Sequence, residues 1–133
     1  MIIAADTVVI TEEGTILEKP LDAADAEATL QRLSGKTHVV KTVILLLRPT
    51  NLKRPPAAHE INYRITETRV TFGDLDAQFI KEYVASGHPM DKSGSYGYME
   101  QGAALVSSIQ GDYFNVIGFP ASTFAQLIKT CYA

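Results

Sequence analysis

An aspartate interrupts the apolar run from Ile2 to Ile10 at the start of the sequence. Valine and isoleucine dominate this run, which predicts a strand buried on both faces of a sheet. A buried carboxylate must find hydrogen bonds, a cation or a metal, because an unpaired charge is too costly to bury. Asp6 is therefore either a hydrogen-bonding residue that holds the sheet together or a catalytic or metal-binding acid at a strand end.

Lys19 is the first basic residue that follows this acid. It comes soon after the apolar pair 16–17, which predicts a short strand returning from the first through a turn at Gly14. Such a hairpin would allow Asp6 and Lys19 to face the same cleft.

Lys92 lies in the segment 91–97, which is rich in glycine and small residues. A lysine in such a loop can act as a movable point charge toward phosphate. The alternative is a surface ion pair with the neighbouring Asp91, which is the commoner role for adjacent opposite charges.

Alternating strand and helix signals surround these residues and predict a single α/β domain, a mixed twisted sheet with flanking helices. Helices are expected from Asp22 to about Leu33, after Asp74 or Asp76, and over 121–130; further strands are expected over 36–48, 61–72 and 103–109. The segment from Arg48 to Pro56 holds three prolines and predicts an exposed loop, with Lys53 and Arg54 in solvent.

Composition excludes several classes of function. The chain has 133 residues, 46% hydrophobic and 20% charged, with a formal net charge of −3, which is typical of one soluble globular domain without a broad basic field for nucleic acid. It has no apolar run of the roughly 18 to 20 residues that span a membrane, and no secretory signal is evident. Because Cys131 is the single cysteine, we expect a reducing intracellular compartment.

General catalytic motifs do not identify the chemistry. The sequence lacks a Walker phosphate loop, a dinucleotide glycine fingerprint and a serine elbow. His38, His59 and His88 are scattered without metal-ligand spacing. The first two are expected in strands and the third in a loop, so none is a strong candidate for a base or a ligand.

Several short blocks follow one another along almost the whole chain. They are Ala5-Asp6-Thr7-Val8-Val9, Lys19-Pro20, Leu33-Ser34-Gly35-Lys36-Thr37-His38, Glu67-Thr68-Arg69-Val70, Asp91-Lys92-Ser93-Gly94-Ser95-Tyr96-Gly97, Gly111-Asp112-Tyr113-Phe114-Asn115-Val116 and Gly118-Phe119-Pro120. In this order they resemble the Maf family, the septum formation protein homologues. Each block is weak alone, and the resemblance rests on their number and order.

The resemblance implies a hydrolase, a nucleoside triphosphate pyrophosphatase that cleaves between the α- and β-phosphates and releases a nucleoside monophosphate and pyrophosphate. It also implies a Maf/ITPase-like α/β fold with a cleft between two lobes, a divalent cation such as magnesium or manganese, and often a homodimer. Family members tend to act on pyrimidine nucleotides, including dTTP and UTP, or on modified ones, which suggests cytoplasmic house-cleaning.

Family roles transfer to matching positions only. Asp6 corresponds to the proposed general base and is also the expected metal ligand, and Lys19 corresponds to the phosphate-binding lysine, although Glu18 replaces the preceding glycine. We expect Thr7 and Lys92 to contact substrate as well. An ungapped alignment places Met99 where the family has a glutamine that contacts the nucleotide, so Gln101 is the candidate for that contact.

The resemblance begins at the Ala-Asp-Thr block, so we expect a single Maf-like domain over 1–133 without the family's N-terminal segment. That segment supplies the first strand of the sheet and a Ser-x-Ser-Pro-Arg-Arg motif that no arginine here matches. Two alternatives to an enzyme therefore stay open. One is a catalytically silent relative that binds nucleotide or a protein partner, and the other is a structural remnant whose exposed sheet edge drives oligomerisation.

Overall fold

The computed structural model describes residues 1–49 and 59–133. Its strands are β1 (Ile2–Thr11), β2 (Ile16–Leu17), β3 (Thr37–Pro49), β4 (His59–Phe72) and β5 (Val106–Gln110). Its α-helices are α1 (Ala23–Leu33), α2 (Ala77–Ala85), α3 (Tyr113–Val116) and α4 (Ala121–Tyr132), and short 3₁₀ helices span His88–Asp91, Ser93–Ser95 and Glu100–Leu105. The predicted α/β class with flanking helices is confirmed.

The sheet has the order β2-β1-β3-β4-β5, and every described pair of neighbouring strands is antiparallel. Residues directly opposite each other on antiparallel strands share a face of the sheet. The register aligns Asp6 with Val43 and Val43 with Ile65. The run of aliphatic residues in β3 predicts a central strand, and β3 does lie at the centre of the sheet.

The helices cover one face of this sheet. Alternate residues of β3 from His38 to Leu46 are buried, while the residues between them are only half-buried. Buried side chains of the other strands, among them Val9, Val70 and Phe72, align with the same set and lie on this covered face. The other face, which includes Asp6 and Val43, is called the open face below.

Two clusters of buried side chains form the core. The larger one packs α1 and α2 against the part of the covered face that includes Val9, Val40 and Phe72. The smaller one packs α4 against Ile44 and Leu46 through Leu127 and Cys131, with Phe124 and Ile128 beside them. The apolar stripe predicted for the last helix is therefore confirmed.

Helix boundaries follow the predicted caps. The Asp22 carboxylate accepts the N–H of Asp25 at 2.8 Å and begins α1, which buries Ala26, Leu30 and Leu33 as its spacing predicts. Of the two candidates for the second cap, Asp76 begins α2 by accepting the N–H groups of Gln78 and Phe79. No helix in the described ranges has both the length and the apolar character needed to cross a membrane.

Two predictions were wrong. The sequence predicts that β1 is buried on both faces of the sheet, but Asp6 on this strand is exposed. The reason is that helices cover only one face of the sheet and β2 pairs with β1 only at Val9 and Ile10. The last strand was expected over 103–109 but begins at Val106, since the residues before it form a short 3₁₀ helix. The predicted loop with Lys53 and Arg54 falls largely on 50–58, outside the described residues; Arg48 and Pro49 still belong to β3.

Candidate functional site

A cavity of about 950 Å³ opens where β1, the end of α2 and the segment 91–99 meet, a volume within the usual range for small-molecule sites. Four of the five predicted site residues line it, namely Asp6, Thr7, Lys19 and Lys92. The hairpin expected to bring Asp6 and Lys19 to one cleft is present. Gln101 is exposed and lies outside the lining, where Met99 is found instead, so this arrangement does not form the predicted glutamine contact.

Asp6 presents its carboxylate to solvent at the edge of the cavity. Its Oδ1 accepts the backbone N–H of Thr7 at 3.0 Å. Within the described part of the chain its other oxygen has no hydrogen-bond partner. The carboxylate is thus oriented through one oxygen and leaves the other able to accept a proton or contact a cation.

Thr7 links β1 to a buried polar network that sequence reasoning missed. Its hydroxyl lies 2.8 Å from the hydroxyl of Thr42 on β3, which donates to the carbonyl oxygen of Asn115 at 3.5 Å. The Asn115 amide donates to the carbonyl of Val40 and the hydroxyl of Thr68, each at 3.0 Å. Since Asn115 and Thr42 are fully buried, these bonds fix the backbone beside Asp6.

Lys19 is exposed and lies at the same cavity from the connection between β2 and α1. The carbonyl of Glu18, the residue before it, accepts the N–H of Gly94 at 3.1 Å. This bond ties the segment that carries Lys19 to the loop that carries Lys92, so the two ammonium groups approach the cavity from segments that are joined directly.

Lys92 forms the surface ion pair that was the alternative to a phosphate contact, and it lies at the cavity as well. Its Nζ lies 2.8 Å from Oδ1 of Asp91, and its side chain also lines the cavity. The Lys92 ammonium, and more weakly that of Lys19, holds the pKa of the Asp91 carboxyl below its ordinary value. Asp91 therefore lies within electrostatic reach of both lysines, and a more highly charged anion could draw Lys92 away from it.

The backbone after Lys92 takes a conformation that few residues adopt. Gly94 and Ser95 both have positive φ, 74° and 61°, and a side chain at Gly94 would press against Val9. A non-glycine residue in this region costs energy and persists only where its surroundings hold it. Here the segment is held because Tyr83 OH accepts the N–H of Gly97 at 3.2 Å. Burial also raises the pKa of the Tyr83 hydroxyl.

Gly97 gives the Lys92 side chain its room. A Cβ on Gly97 would lie 2.6 Å from Cε of Lys92 and 2.7 Å from its Cδ, closer than any real contact. The absence of a side chain at Gly97 thus sets the path by which Lys92 reaches the cavity.

An aromatic cluster closes the inner wall of the cavity. Tyr96 lines the cavity and its hydroxyl lies 2.7 Å from Nε2 of His38. The rings of His38, Phe72 and Tyr96 meet edge to face, with centroids 4.8 to 5.3 Å apart. Burial lowers the pKa of His38 to about 4 and raises that of Tyr96, so both side chains are neutral at pH 7.

The described residues hold no cluster of three or more His, Cys, Asp or Glu side chains arranged around a metal. Two carboxylates, those of Asp6 and Asp91, do line the cavity. Magnesium is commonly held by one or two carboxylates together with substrate phosphates, and it keeps several of its waters. Two carboxylates at one cavity are a donor set that fits such a cation, and Asp6 is the more available of the two because Asp91 is paired with Lys92.

Known proteins match this chain over nearly its whole length. The sequence profile of the family described as Maf-like protein matches residues 1–131. A human protein named probable bifunctional dTTP/UTP pyrophosphatase/methyltransferase protein is 42% identical over 137 positions, which cover 99% of this chain and 21% of that protein.

Bacterial relatives named dTTP/UTP pyrophosphatase match similarly. The one from Symbiobacterium thermophilum is 42% identical over 96% of this chain and 61% of its own length. The one from Shewanella denitrificans is 43% identical over 90% of this chain and 55% of its own length. The chain thus spans a little over half the length of these bacterial relatives.

Proposed function

The chain belongs to the Maf family of Maf-like proteins, and we propose that its cavity hydrolyses nucleoside triphosphates to the monophosphate and pyrophosphate. The observation that carries the proposal is the convergence of Asp6, Thr7, Lys19 and Lys92 on one cavity, although Lys92 lies far from the other three in the sequence. Phosphoryl transfer needs an aligned nucleophile and neutralised phosphate charge more than it needs covalent catalysis. In this cavity one carboxylate can align the nucleophile, and two ammonium groups can neutralise the phosphate charge.

Asp6 is the proposed general base. Its carboxylate oxygen that accepts the Thr7 N–H is held in place, and its second oxygen is available to orient or deprotonate the water that attacks the α-phosphate. Exposure of the side chain allows that water to reach it. Thr7 contributes through its backbone and through the hydroxyl bond that fixes β1 to β3.

Lys19 and Lys92 are the proposed phosphate ligands. Both line the cavity and both act on the charge of Asp91, so a triphosphate in the cavity would meet two positive charges. Lys92 is held by Asp91 in this structure. We propose that it exchanges this exposed pair, which contributes little to stability, for the more highly charged phosphates when substrate binds.

A divalent cation, magnesium or manganese, is part of the proposal. Asp6 would hold it together with the phosphates through its outer oxygen, which is unpaired in the described part of the chain, and in that case Asp6 would act on the attacking water through the bound cation instead of directly. When bound, such an ion neutralises phosphate charge and aligns the reacting groups. Lys19 and Lys92 would still bind the remaining phosphate oxygens.

Pyrimidine nucleotides, dTTP and UTP first, are the proposed substrates. Support comes from the names of the human and bacterial relatives, and the biological role would be the house-cleaning of pyrimidine or noncanonical nucleotides. We further propose a cytoplasmic homodimer that acts on free nucleotides and not on nucleic acid or membranes. The formal net charge of −3 supports the exclusion of nucleic acid, and a single, buried, free cysteine, Cys131, supports the reducing compartment.

One observation favours a second candidate, a silent relative that binds nucleotide or a protein partner without turnover. Among the described residues, no arginine lines the cavity, and the loss of preorganised positive charge commonly costs orders of magnitude in rate. Binding of a triphosphate needs less than hydrolysis does, because Lys19 and Lys92 suffice to attract the anion.

The test is pyrophosphate release from dTTP, UTP, CTP and a methylated nucleotide, measured with magnesium, with manganese and with a chelator. The proposal predicts release that requires the cation and is fastest for a pyrimidine. Nucleotide binding by calorimetry, without release from any substrate, would instead establish the silent relative. A folded protein that neither binds nor hydrolyses these nucleotides would exclude hydrolysis and nucleotide binding, and would leave only the silent relative that binds a protein partner.

A further inference from the structure

Tyr83, on the last turn of α2, contributes a phenol side chain to the wall of the cavity. This side chain is 3% exposed and belongs to the larger core cluster, which packs on the covered face of the sheet. Asp6, in contrast, lies on the open face and reaches the edge of the cavity from there. Tyr83 is therefore on the inner side of the cavity, away from the edge at which Asp6 meets solvent.

The hydrogen bonding of the Tyr83 hydroxyl is only half complete. A phenol oxygen can accept a hydrogen bond while its own proton is donated to another group. The oxygen accepts the N–H of Gly97 at 3.2 Å, and an amide N–H cannot accept in return. Within residues 1–49 and 59–133 the phenol proton has no acceptor. Buried polar groups are almost always paired, so this proton is left for a partner that enters the cavity.

Gly97 brings this hydroxyl and the Lys92 ammonium to the same place. Its N–H is bonded to the Tyr83 oxygen, and a Cβ added to it would lie 4.0 Å from Nζ of Lys92. A Cβ on Gly102 would likewise lie 3.0 Å from the Tyr83 oxygen. The hydroxyl and the ammonium are thus neighbours of one residue that has no side chain to separate them.

The electrostatics of Tyr83 agree with this placement. Burial raises the pKa of its hydroxyl, and the Lys92 ammonium and the Asp91 carboxylate act on that pKa in opposite directions. The phenol therefore keeps its proton at pH 7 and lies within electrostatic reach of the Lys92–Asp91 pair. A neutral donor at this position can approach a phosphate oxygen without a charge of its own to bury.

We propose that the Tyr83 hydroxyl donates a hydrogen bond to the phosphate group that Lys92 binds, as a third phosphate ligand beside Lys19 and Lys92. The assignment rests on the proposed function, because it needs a polyphosphate in the cavity. The hydroxyl keeps its proton throughout, so it orients the phosphate and does not act as an acid. Since Tyr83 lies away from Asp6, this phosphate is one of the two that leave as pyrophosphate.

Calorimetric binding of inorganic tripolyphosphate tests the contact, because this probe carries the phosphates without a nucleoside. Tyr83→Phe keeps the ring and removes only the hydroxyl. The dissociation constant should rise about 10- to 100-fold, the range expected for one hydrogen bond to a charged group. Tyr113→Phe is the matched control, at a tyrosine that packs against other aromatic rings but does not line the cavity. It should bind tripolyphosphate as the wild type does.

A second variant separates donation to phosphate from the support of Gly97. 3-Fluorotyrosine at position 83 is a stronger donor and a weaker acceptor than tyrosine, because fluorine withdraws electrons from the phenol oxygen. At pH 6.5, where this phenol keeps its proton, donation predicts tighter binding of tripolyphosphate than by the wild type at the same pH. If the hydroxyl only accepts the Gly97 N–H, binding should be unchanged or weaker, and either result would overturn the assignment.

Failure of this assignment is distinguishable from failure of the proposed function. If the wild type binds tripolyphosphate and releases pyrophosphate from dTTP while Tyr83→Phe binds the probe equally well, the hydrolysis stands and the role of Tyr83 is overturned. If the folded wild type neither binds the probe nor hydrolyses dTTP, the phosphate site itself is wrong and the assignment falls with it. If Tyr83→Phe fails a thermal unfolding check, the fluorinated protein decides alone, because it retains both the ring and the hydroxyl.

Discussion

The hydroxyl of Tyr96 lies 2.7 Å from Nε2 of His38, and this contact joins the wall of the cavity to the core of the protein. His38 is on the central strand and fully buried, with Phe72 against its ring. Because burial lowers the pKa of His38 to about 4, the bond is one between neutral groups at pH 7. It anchors the segment 91–97, which carries Lys92.

Stability should fall in mildly acidic solution because of His38. The unfolded chain takes up a proton at this residue near its ordinary pKa of 6.5, whereas the folded chain does so only near about 4. Protons therefore favour unfolding between these values: the contribution of His38 is complete above pH 6.5 and is lost as the pH falls toward 4. The loss amounts to about 3 kcal/mol at 1.36 kcal/mol per pKa unit, and chemical unfolding at pH 7, 6, 5 and 4.5 measures it.

His38→Gln identifies the residue responsible, because glutamine retains hydrogen bonding and does not titrate. The variant should be less stable at pH 7 and should lose most of the pH dependence between 6.5 and 5. The control is His59→Gln, at an exposed histidine, which should follow the wild type throughout. An unchanged pH profile in His38→Gln would contradict the assignment.

Gly97→Ala should damage substrate binding while sparing the fold. The new methyl group would overlap Cε and Cδ of Lys92, and this flexible side chain can move where a backbone could not. Since hydrogen bonds to charged groups contribute about 1.5 to 3 kcal/mol, we expect KM for the triphosphate to rise about tenfold or more. Steady-state kinetics and a thermal unfolding curve separate the two effects.

Gly73→Ala is the matched glycine control, because a Cβ there would meet no atom within 4 Å. It should leave both KM and the unfolding midpoint close to wild type. If Gly97→Ala keeps the wild-type KM, Lys92 does not bind phosphate by the path described.

Thr42→Val should slow turnover from a position that does not touch substrate. Valine preserves the shape of the side chain but removes the hydroxyl that joins Thr7 to Asn115. We expect kcat to fall several-fold with little change in KM, together with a loss of about 1 to 2 kcal/mol of stability, since two hydrogen bonds are removed and each usually contributes about 1 kcal/mol net.

Thr66→Val tests whether removal of a hydroxyl from any hydrogen-bonded threonine pair slows turnover. Thr66 and Thr123 also lie 2.8 Å apart, hydroxyl to hydroxyl, and neither lines the cavity. A similar loss of stability with unchanged kcat is expected. Equal effects of the two variants on kcat would mean that the Thr7 network has no special relation to Asp6.

Local signals predicted the elements of this fold well. The Asp22 cap and the spacing of Ala26, Leu30 and Leu33 predict α1 as it is found, because caps and helical periodicity are properties of neighbouring residues. The hairpin that brings Asp6 and Lys19 to one cavity is equally local. These features do not depend on how distant parts of the chain pack.

Burial was harder to predict, because it depends on which elements cover which face. The apolar run around Asp6 indicates a strand but not its neighbours, so the exposure of Asp6 could not be derived from it. The roles of Thr42 and Asn115 also require contacts between residues far apart in sequence. Thr42 lies two residues from Val40 and from Ile44 on β3, and this two-residue spacing in the sequence could have pointed to a buried threonine.

The most direct test of the central claim compares Asp6→Asn with the wild type in two assays, pyrophosphate release from dTTP and UTP and binding of the same nucleotides by calorimetry. Loss of the general base should reduce kcat about 100- to 10,000-fold, while Lys19 and Lys92 keep the affinity within several-fold. Glu27→Gln, on α1 and outside the cavity, should behave as wild type. Undiminished release by folded Asp6→Asn would contradict the account, because the carboxylate could then not be the base.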